Sequence, residues 1–414
     1  MHNALKAQLR TYRDTIGAAW PDPDLPDEDR ERAAFWSTHE WMDARTEVFL
    51  AALALHRAFI ENAVTEMSCN LSLAMDMLAG KLPVEDALAW RTAFDALTLV
   101  VPVVSTTFAA LPRMLAGMEQ GSIGWLLIDE AGQAVPQAAA GAIWRASRTV
   151  VVGDPLQLEP ISTVPATVEG ALGETLGADV WWYPSRTSVQ VIADHGTPLG
   201  TFLHDSAGHP LWVGAPLRVH RRCNEPMFGI SNDIAYNGLM VHGKPPSAST
   251  LPPSCWIDVR GAVADSHWIA EEGDAARQVI IGLLDVHGMD PADIILISPF
   301  RDVVRHLRQM GRDFELDPKR VGTIHTAQGK EAEAVLLVLG GHPERPGAKD
   351  WAAEKPNLLN VAASRAKERL YVVGNHLEWV KRRHFSLAAA RLPVLDMAAD
   401  SEHDIQNFEH TRNA

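Results

Sequence analysis

Cysteine is scarce in this chain: Cys69, Cys223 and Cys255 stand far apart in 414 residues and never in C-x-x-C spacing. That argues against both a disulfide framework and a cysteine zinc site, and makes a reducing cytoplasm the expected setting. Long apolar runs are missing too. The opening MHNALKAQLRTYRD has no apolar core of the signal-peptide kind, and no run reaches membrane-spanning length, so secretion and membrane insertion are both disfavoured. Positive charge is in deficit, with 37 Lys and Arg against 52 Asp and Glu and a formal net charge of −15. A protein coated in basic surface is thereby disfavoured, since phosphate neutralisation supplies most non-specific affinity for nucleic acid. A narrow strand-binding groove that uses backbone N–H groups and stacked bases remains compatible with an acidic exterior.

Two hydrolase signatures are absent, the G-x-S-x-G elbow and the H-E-x-x-H metal pair. So is G-x-x-x-x-G-K-[ST], the loop that cradles β and γ phosphates. The stretch Gly238-Leu239-Met240-Val241-His242-Gly243-Lys244 comes close, but Pro245 and Pro246 follow it and no continuous apolar strand precedes it. Two prolines cannot open the helix whose N-terminus should face phosphate, so this stretch reads as a loop.

What the chain does have is 47% apolar and 21% charged residues, enough for two domains with substantial cores. Its most informative stretch runs from Trp125 to Pro160. The run Trp125 to Ile128 reads as a central strand of a parallel sheet, continuously apolar because both faces are covered, and it ends in Asp129-Glu130-Ala131-Gly132-Gln133. Open α/β sheets bind ligands at the carboxyl ends of their strands. Two acids there suit a magnesium nucleotide, with Asp129 holding Mg²⁺ through its water shell and Glu130 taking a proton from water attacking a γ-phosphate. Paired acids at a strand end are often no more than solvated loop residues. A second strand, TVVVGDP (Thr149 to Pro155), with Gln157 on the following turn, raises the odds of a site.

Upstream, to about Leu97, helical spacing dominates. After a Pro/Asp-rich turn at Pro21 to Arg30, a long helix through Met67 carries Phe49, Leu53, His56 and Ile60 on one side, a face expected to pack against a neighbouring helix. Further helices are expected at Leu71 to Leu78 and Val84 to Leu97, then a strand at Leu97 to Thr107 (LTLVVPVVSTT). From there to about Ile192 the order reads strand, helix, strand, helix, strand. A loop-rich region spans roughly Ala193 to Pro216. The second half alternates again, with strands at Cys255 to Val259, Asp293 to Pro299, Val321 onward, Ala334 to Gly340 and Arg369 to Asn375, and helices from Glu271, near Val303 and at LLNVAASRAKE. The expected fold is α/β, with two RecA-like parallel-sheet domains and an N-terminal helical insertion or stalk. The divisions fall at 1–97 (helical insertion or stalk), 98–215 (first sheet domain, without a phosphate loop), 216–390 (second sheet domain) and 391–414 (polar tail).

Three stretches of the second half place polar residues where a bland domain has no need of them. Leu217 to Cys223 holds three arginines in five residues, for which a solvated basic turn is a fair competitor. Thr323 to Glu331 sets a polar loop with a permissive glycine between two strong strands. Asn360 to Lys367 puts Arg365 on a helix whose other face is small and apolar, a setting that suits bidentate phosphate recognition.

Taken in order, these segments resemble the superfamily 1 helicases of the Upf-like group. Asp129 to Gln133 resembles motif II, Gly153 to Leu158 motif III, Val219 to Cys223 motif IV, Thr323 to Glu331 motif V, and Val361 to Lys367 motif VI, across roughly Val104 to Asn375. The resemblance implies ATP and Mg²⁺ as cofactors and single-stranded DNA or RNA as partner. It makes Asp129 the Mg²⁺ carboxylate, Glu130 the base and Gln157 the γ-phosphate sensor, with Arg222 and Arg365 as arginine fingers reaching from the second domain. It further assigns Gln133, Gly153, Asp154, Gln328, Gly329, Lys330 and Glu331 to the nucleotide. Ser105, Thr106, Ser298, Pro299, Thr323 and His325 would contact nucleic acid. His220 and Arg221 replace the usual Gln and Tyr of motif IV, which removes a stacking partner for adenine or sugar.

The resemblance also implies that a phosphate loop precedes motif II. Its absence leaves three readings: a split enzyme whose partner polypeptide brings the loop, a truncated chain, or a degenerate binding protein. The first two are favoured because the motor residues are intact. The expected activity is that of an ATP-dependent translocase body in which nucleotide closes a cleft between two RecA-like domains, with 5′ to 3′ movement as the default. The rival is a non-catalytic nucleic-acid-binding or scaffold protein derived from a helicase.

Overall fold

In the computed structural model of the chain, the structure describes residues 2–81, 86–162, 164–204, 209–245, 249–261, 263–327, 329–342, 344 and 346–396. Two compact units emerge. One comprises residues 1–153 and 160–193, the other residues 154–159 and 194 onward.

The first unit is mostly helical, with helices at His2–Ile16, His39–Asn62, Val64–Leu78 and Ala87–Val100 ahead of its sheet. Its core joins Ala74, Met77, Trp90, Phe94 and Leu97 to Leu111, Leu115 and Ala142. Trp90 and Phe94 stack with centroids 5.2 Å apart, one helical turn from each other. The long helix expected through Met67 instead breaks at Ala63, and the next begins at Val64 rather than Leu71. The expected packing face of the long helix is also corrected: no residue of His39–Asn62 is buried, and Phe49 is 57% exposed. His56 and Ile60 are half-buried, and His56 Nδ1 lies 3.2 Å from the Leu99 carbonyl.

The strand expected at Leu97 to Thr107 does not form. Trp90, Phe94 and Leu97 share the buried side of a helix that continues to Val100, and Val101 leaves it because Pro102 disfavours helical backbone in the residue before it. Residues 101–107 are irregular and exposed.

Two strands follow, β1 (Leu126–Ile128) and β2 (Thr149–Val151), paired in parallel with Leu127 opposite Val150. The expected covering of both faces is overturned. Ile128 packs with Ala131, Ala139 and Val189, whereas Leu127, on the opposite face, is 72% exposed. The third strand expected before Ile192 is a helix, Val189–His195, because Ser188 caps it by accepting the Val191 N–H at 3.2 Å.

The second unit opens where loop was expected, with an antiparallel hairpin of β3 (Gly200–His204) and β4 (Pro210–Gly214). Leu203 opposes Leu211 and both pack on the main core, a burial reward that loop-rich composition concealed. The short strands β5 (Val219–His220) and β6 (Val241–His242) pair in parallel, and β8 (Val263–Asp265) pairs antiparallel with β9 (Trp268–Ile269). The remaining strands are β7 (Cys255–Asp258), β10 (Ile294–Ile297), β11 (Val321–Gly322), β12 (Ala332–Val338), β13 (Ala366–Gly374) and β14 (Val394–Asp396). They form one wholly parallel sheet in the order β11-β10-β12-β13-β7-β14. The apolar runs are continuous because helices cover both faces: all four residues of β10 are fully buried, as are Val335 to Leu339. The expected α/β class with parallel sheets is what the chain adopts. Among the described residues no single helix is long and apolar enough to cross a membrane.

Candidate functional site

In the first unit the acids stand where β1 ends. Asp129 is exposed, and Glu130 takes a left-handed backbone conformation, φ 52° and ψ 38°. A residue with a Cβ held there costs on the order of 1–3 kcal/mol and persists only where neighbours impose it. Asp129 Oδ1 accepts the Glu130 N–H at 2.9 Å, and Gln133 Nε2 donates to Glu130 Oε2 at 3.0 Å. The Ala131 N–H is tied to the Val152 carbonyl at 3.0 Å. Gly153 completes the mouth: a Cβ there would lie 2.8 Å from the Gly132 nitrogen and 2.9 Å from that of Ala131. Any larger residue would push the acid-bearing loop off β2. Asp129, Glu130, Gln133 and Gly153 are thus brought together. Ser105 and Thr106 are exposed on the irregular segment.

The second unit gathers Asp154, Gln157, Arg222, Lys330, Glu331 and Arg365. Arg365 ends the helix Asn357–Arg365 and is 2% exposed. Its Nη2 donates to Gln157 Oε1 at 2.9 Å and its Nη1 to the Lys330 carbonyl at 3.3 Å. Arg222 Nε pairs with Glu331 Oε2 at 2.8 Å, and its Nη1 donates to the Ser364 carbonyl at 3.3 Å. Glu331 also meets Lys367 Nζ at 2.9 Å. Lys367 first, then the charge of Arg222, hold the Glu331 carboxyl below its ordinary range despite some burial. Lys330 Nζ donates to the Thr326 carbonyl at 2.7 Å. Gly329 has φ +70°, the conformation for which a permissive residue was expected. Gln328 lies outside the described residues.

His220 and Arg221, the departures in the basic stretch, divide. Arg221 is exposed. His220 Nε2 accepts the Cys223 N–H at 3.0 Å, and burial followed by the charge of Arg222 pushes its pKa down to about 4, so the ring stays a neutral acceptor. Ser298 and Pro299 are buried after β10; Ser298 Oγ accepts the Phe300 N–H at 3.3 Å. Thr323 is half-buried and His325 exposed. The rejected near match ends in Lys244, whose Nζ pairs with Glu368 at 2.6 Å and donates to the Lys367 carbonyl at 2.9 Å.

The sequence alone assigns no role to Tyr236, Asn357 or Asn360, all of which fasten the Asp154 to Gln157 turn. Asn360 stands directly before the motif VI resemblance and offered a signal. Tyr236, two residues beyond the helix Met227–Ile234, offered none.

Two stretches of the chain match known domain models. An AAA domain model, AAA_11, matches residues 95–164, and a second AAA domain model, AAA_12, matches residues 215–377. Among curated relatives, the DNA replication ATP-dependent helicase/nuclease DNA2 of Gallus gallus is 24% identical over 280 residues, 66% of this chain and 25% of its own length. The putative helicase MOV-10 of Gallus gallus is 23% identical over 333 residues, 68% of this chain and 33% of its own. An uncharacterized ATP-dependent helicase, MJ0104 of Methanocaldococcus jannaschii, is 23% identical over 298 residues, 66% of this chain and 38% of its own. The chain therefore spans between a quarter and two fifths of these relatives. Among solved structures, an Arterivirus nonstructural protein 10 (helicase) in complex with DNA is 14% identical, with TM-score 0.31, covering 63% of this chain and 42% of that one. The two AAA domain matches and the helicase relatives support a superfamily 1 helicase body.

Proposed function

We propose that the chain is the body of an ATP-dependent translocase or helicase of the Upf-like group, acting on single-stranded DNA or RNA, and that it works with a phosphate loop supplied by a partner polypeptide or by further chain. The observation that carries this reading is the buried Arg365 guanidinium held on the Gln157 carboxamide at 2.9 Å, the meeting of the motif VI arginine with the motif III glutamine. A packed domain gains little from burying a charge in this way, because desolvation offsets most of the attraction. A guanidinium kept for phosphate explains the expense.

The residues fit a magnesium nucleotide. Mg²⁺ keeps much of its water and needs one or two protein carboxylates beside the phosphates, which agrees with an exposed Asp129. When bound, the ion would neutralise phosphate charge. Asp129 would hold it through water, and Glu130, fixed by Gln133, would take a proton from the attacking water. Gln157 would sense the γ-phosphate, while Arg222 and Arg365 would offset charge developing during transfer. Glu331 and Lys330 would line the nucleotide. Ser105, Thr106, Ser298, Pro299, Thr323 and His325 would serve the strand.

The test is ATP hydrolysis by the purified chain with single-stranded DNA or RNA. Little or no turnover is expected from the chain alone, and turnover should appear when a polypeptide bearing G-x-x-x-x-G-K-[ST] is added. Brisk strand-stimulated hydrolysis by the pure chain, lost in Glu130→Gln, would refute the need for that loop.

A further inference from the structure

The Gln157 side chain has two different ends, and the structure fixes which one faces Arg365. Its Nε2 donates to Asp154 Oδ2 at 2.9 Å, which leaves Oε1 for the arginine. Reversing the amide would set an NH₂ against the guanidinium and a carbonyl against a carboxylate, both repulsive. The orientation of Gln157 therefore depends on where the Asp154 carboxylate is held.

That carboxylate is held from outside its own turn. The Tyr236 hydroxyl donates to Asp154 Oδ2 and accepts from Asn360 Nδ2 at 3.0 Å. Asn360 is fully buried, and its Nδ2 also donates to the Leu156 carbonyl at 3.1 Å. Within the turn, Asp154 Oδ1 accepts the Leu156 N–H at 2.9 Å. Asn357 Nδ2 donates to the Gln157 carbonyl. Tyr236, from the turn after the helix Met227–Ile234, and Asn360, from the helix Asn357–Arg365, thus fasten one turn from two places in the chain.

We propose that Tyr236, supported by Asn360, is a positioning residue for the phosphate-sensing pair: through Asp154 it selects the amide orientation that presents Gln157 Oε1 to Arg365. Burial, and after it the charge of Asp154, hold the Tyr236 phenol well above its ordinary range, so it remains a donor at every pH at which the protein would work. The catalytic consequence rests on the ATPase reading above; the latch itself does not.

The experiment separates the two. In Tyr236→Phe, which keeps the ring, amide hydrogen exchange in the full chain should rise about tenfold or more over residues 154–158, since a hydrogen bond to a charged group is lost. Exchange in β12 and β13 should stay as in the parent. Unchanged exchange at 154–158 would overturn the proposal, and so would a rise spread over the whole second unit, which would make Tyr236 a general packing residue. In the mixture that turns over ATP, Tyr236→Phe should lower kcat about tenfold with KM moved less than about twofold. Asp154→Asn should do the same, and the double variant should be no worse than either. Additive losses would show that Tyr236 does not act through Asp154. If no mixture turns over, the ATPase reading fails, while exchange still decides the latch.

Discussion

Arg365→Ala is expected to reduce strand-stimulated ATP turnover by roughly a thousandfold, the usual scale for an arginine that offsets transition-state charge, while moving nucleotide affinity by less than about threefold. The separation arises because charge on the transferring phosphoryl group develops after binding, so a group aimed at it contributes to kcat more than to the ground state. The substitution also strips Gln157 Oε1 and the Lys330 carbonyl of a donor at a site 2% exposed, which threatens stability as well as function. Arg365→Lys resolves that ambiguity. It keeps the charge and most of the volume but loses the planar fork, so it should remain folded and still fall well below the parent in turnover. Parallel losses in affinity and kcat, with unchanged melting, would mean that Arg365 binds nucleotide without acting as a finger. The assay belongs in whichever mixture gives turnover with the parent chain.

Much of the second unit was legible because its physics is local. A strand buried on both faces must be apolar at every position, and Ile294 to Ile297 and Ala334 to Val338 read that way without any structure. The same rule misled in the first unit. WLLID is equally continuous, yet one face of β1 is bare, since an apolar run records what a strand is suited to and not what covers it. Leu97 to Thr107 failed for a related reason: a short apolar run fits a helix or a strand, and the turn-spaced Trp90, Phe94 and Leu97 decided in favour of the helix. The candidate site was legible as residue types. The pairing of Gln157 with Arg365, 208 positions apart, is a property of the fold that no spacing rule reaches. Tyr236 is the extreme case. It belongs to no motif and follows an ordinary core helix, and only the fold brings its hydroxyl to Asp154.

The other large effect is one of pH and stability. Glu272, in the helix Ala270–Ile281, is 1% exposed, and its Oε2 accepts the Gly340 N–H at 2.7 Å. Burial pushes its pKa up to about 8, opposed by that hydrogen bond and by the charge of Lys349. An acid whose folded pKa lies above the unfolded one favours the folded state most when both are protonated. Its contribution is complete below about pH 4.5, declines as pH rises through the window up to about 8, and is gone above it. Unfolding by denaturant should therefore show the parent losing stability across this window by about 1.4 kcal/mol per pH unit from this group, on the order of 5 kcal/mol in all. Glu272→Gln carries no titrating proton and keeps an acceptor for Gly340, so the gap between variant and parent should move steadily in favour of the variant from pH 5.5 to 8.5. Comparing the two at each pH cancels the titration of every other group. A gap that is flat over that range would show that Glu272 titrates at its ordinary value, through water reaching the carboxyl or a closer approach of the buried Lys349 than the folded packing displays.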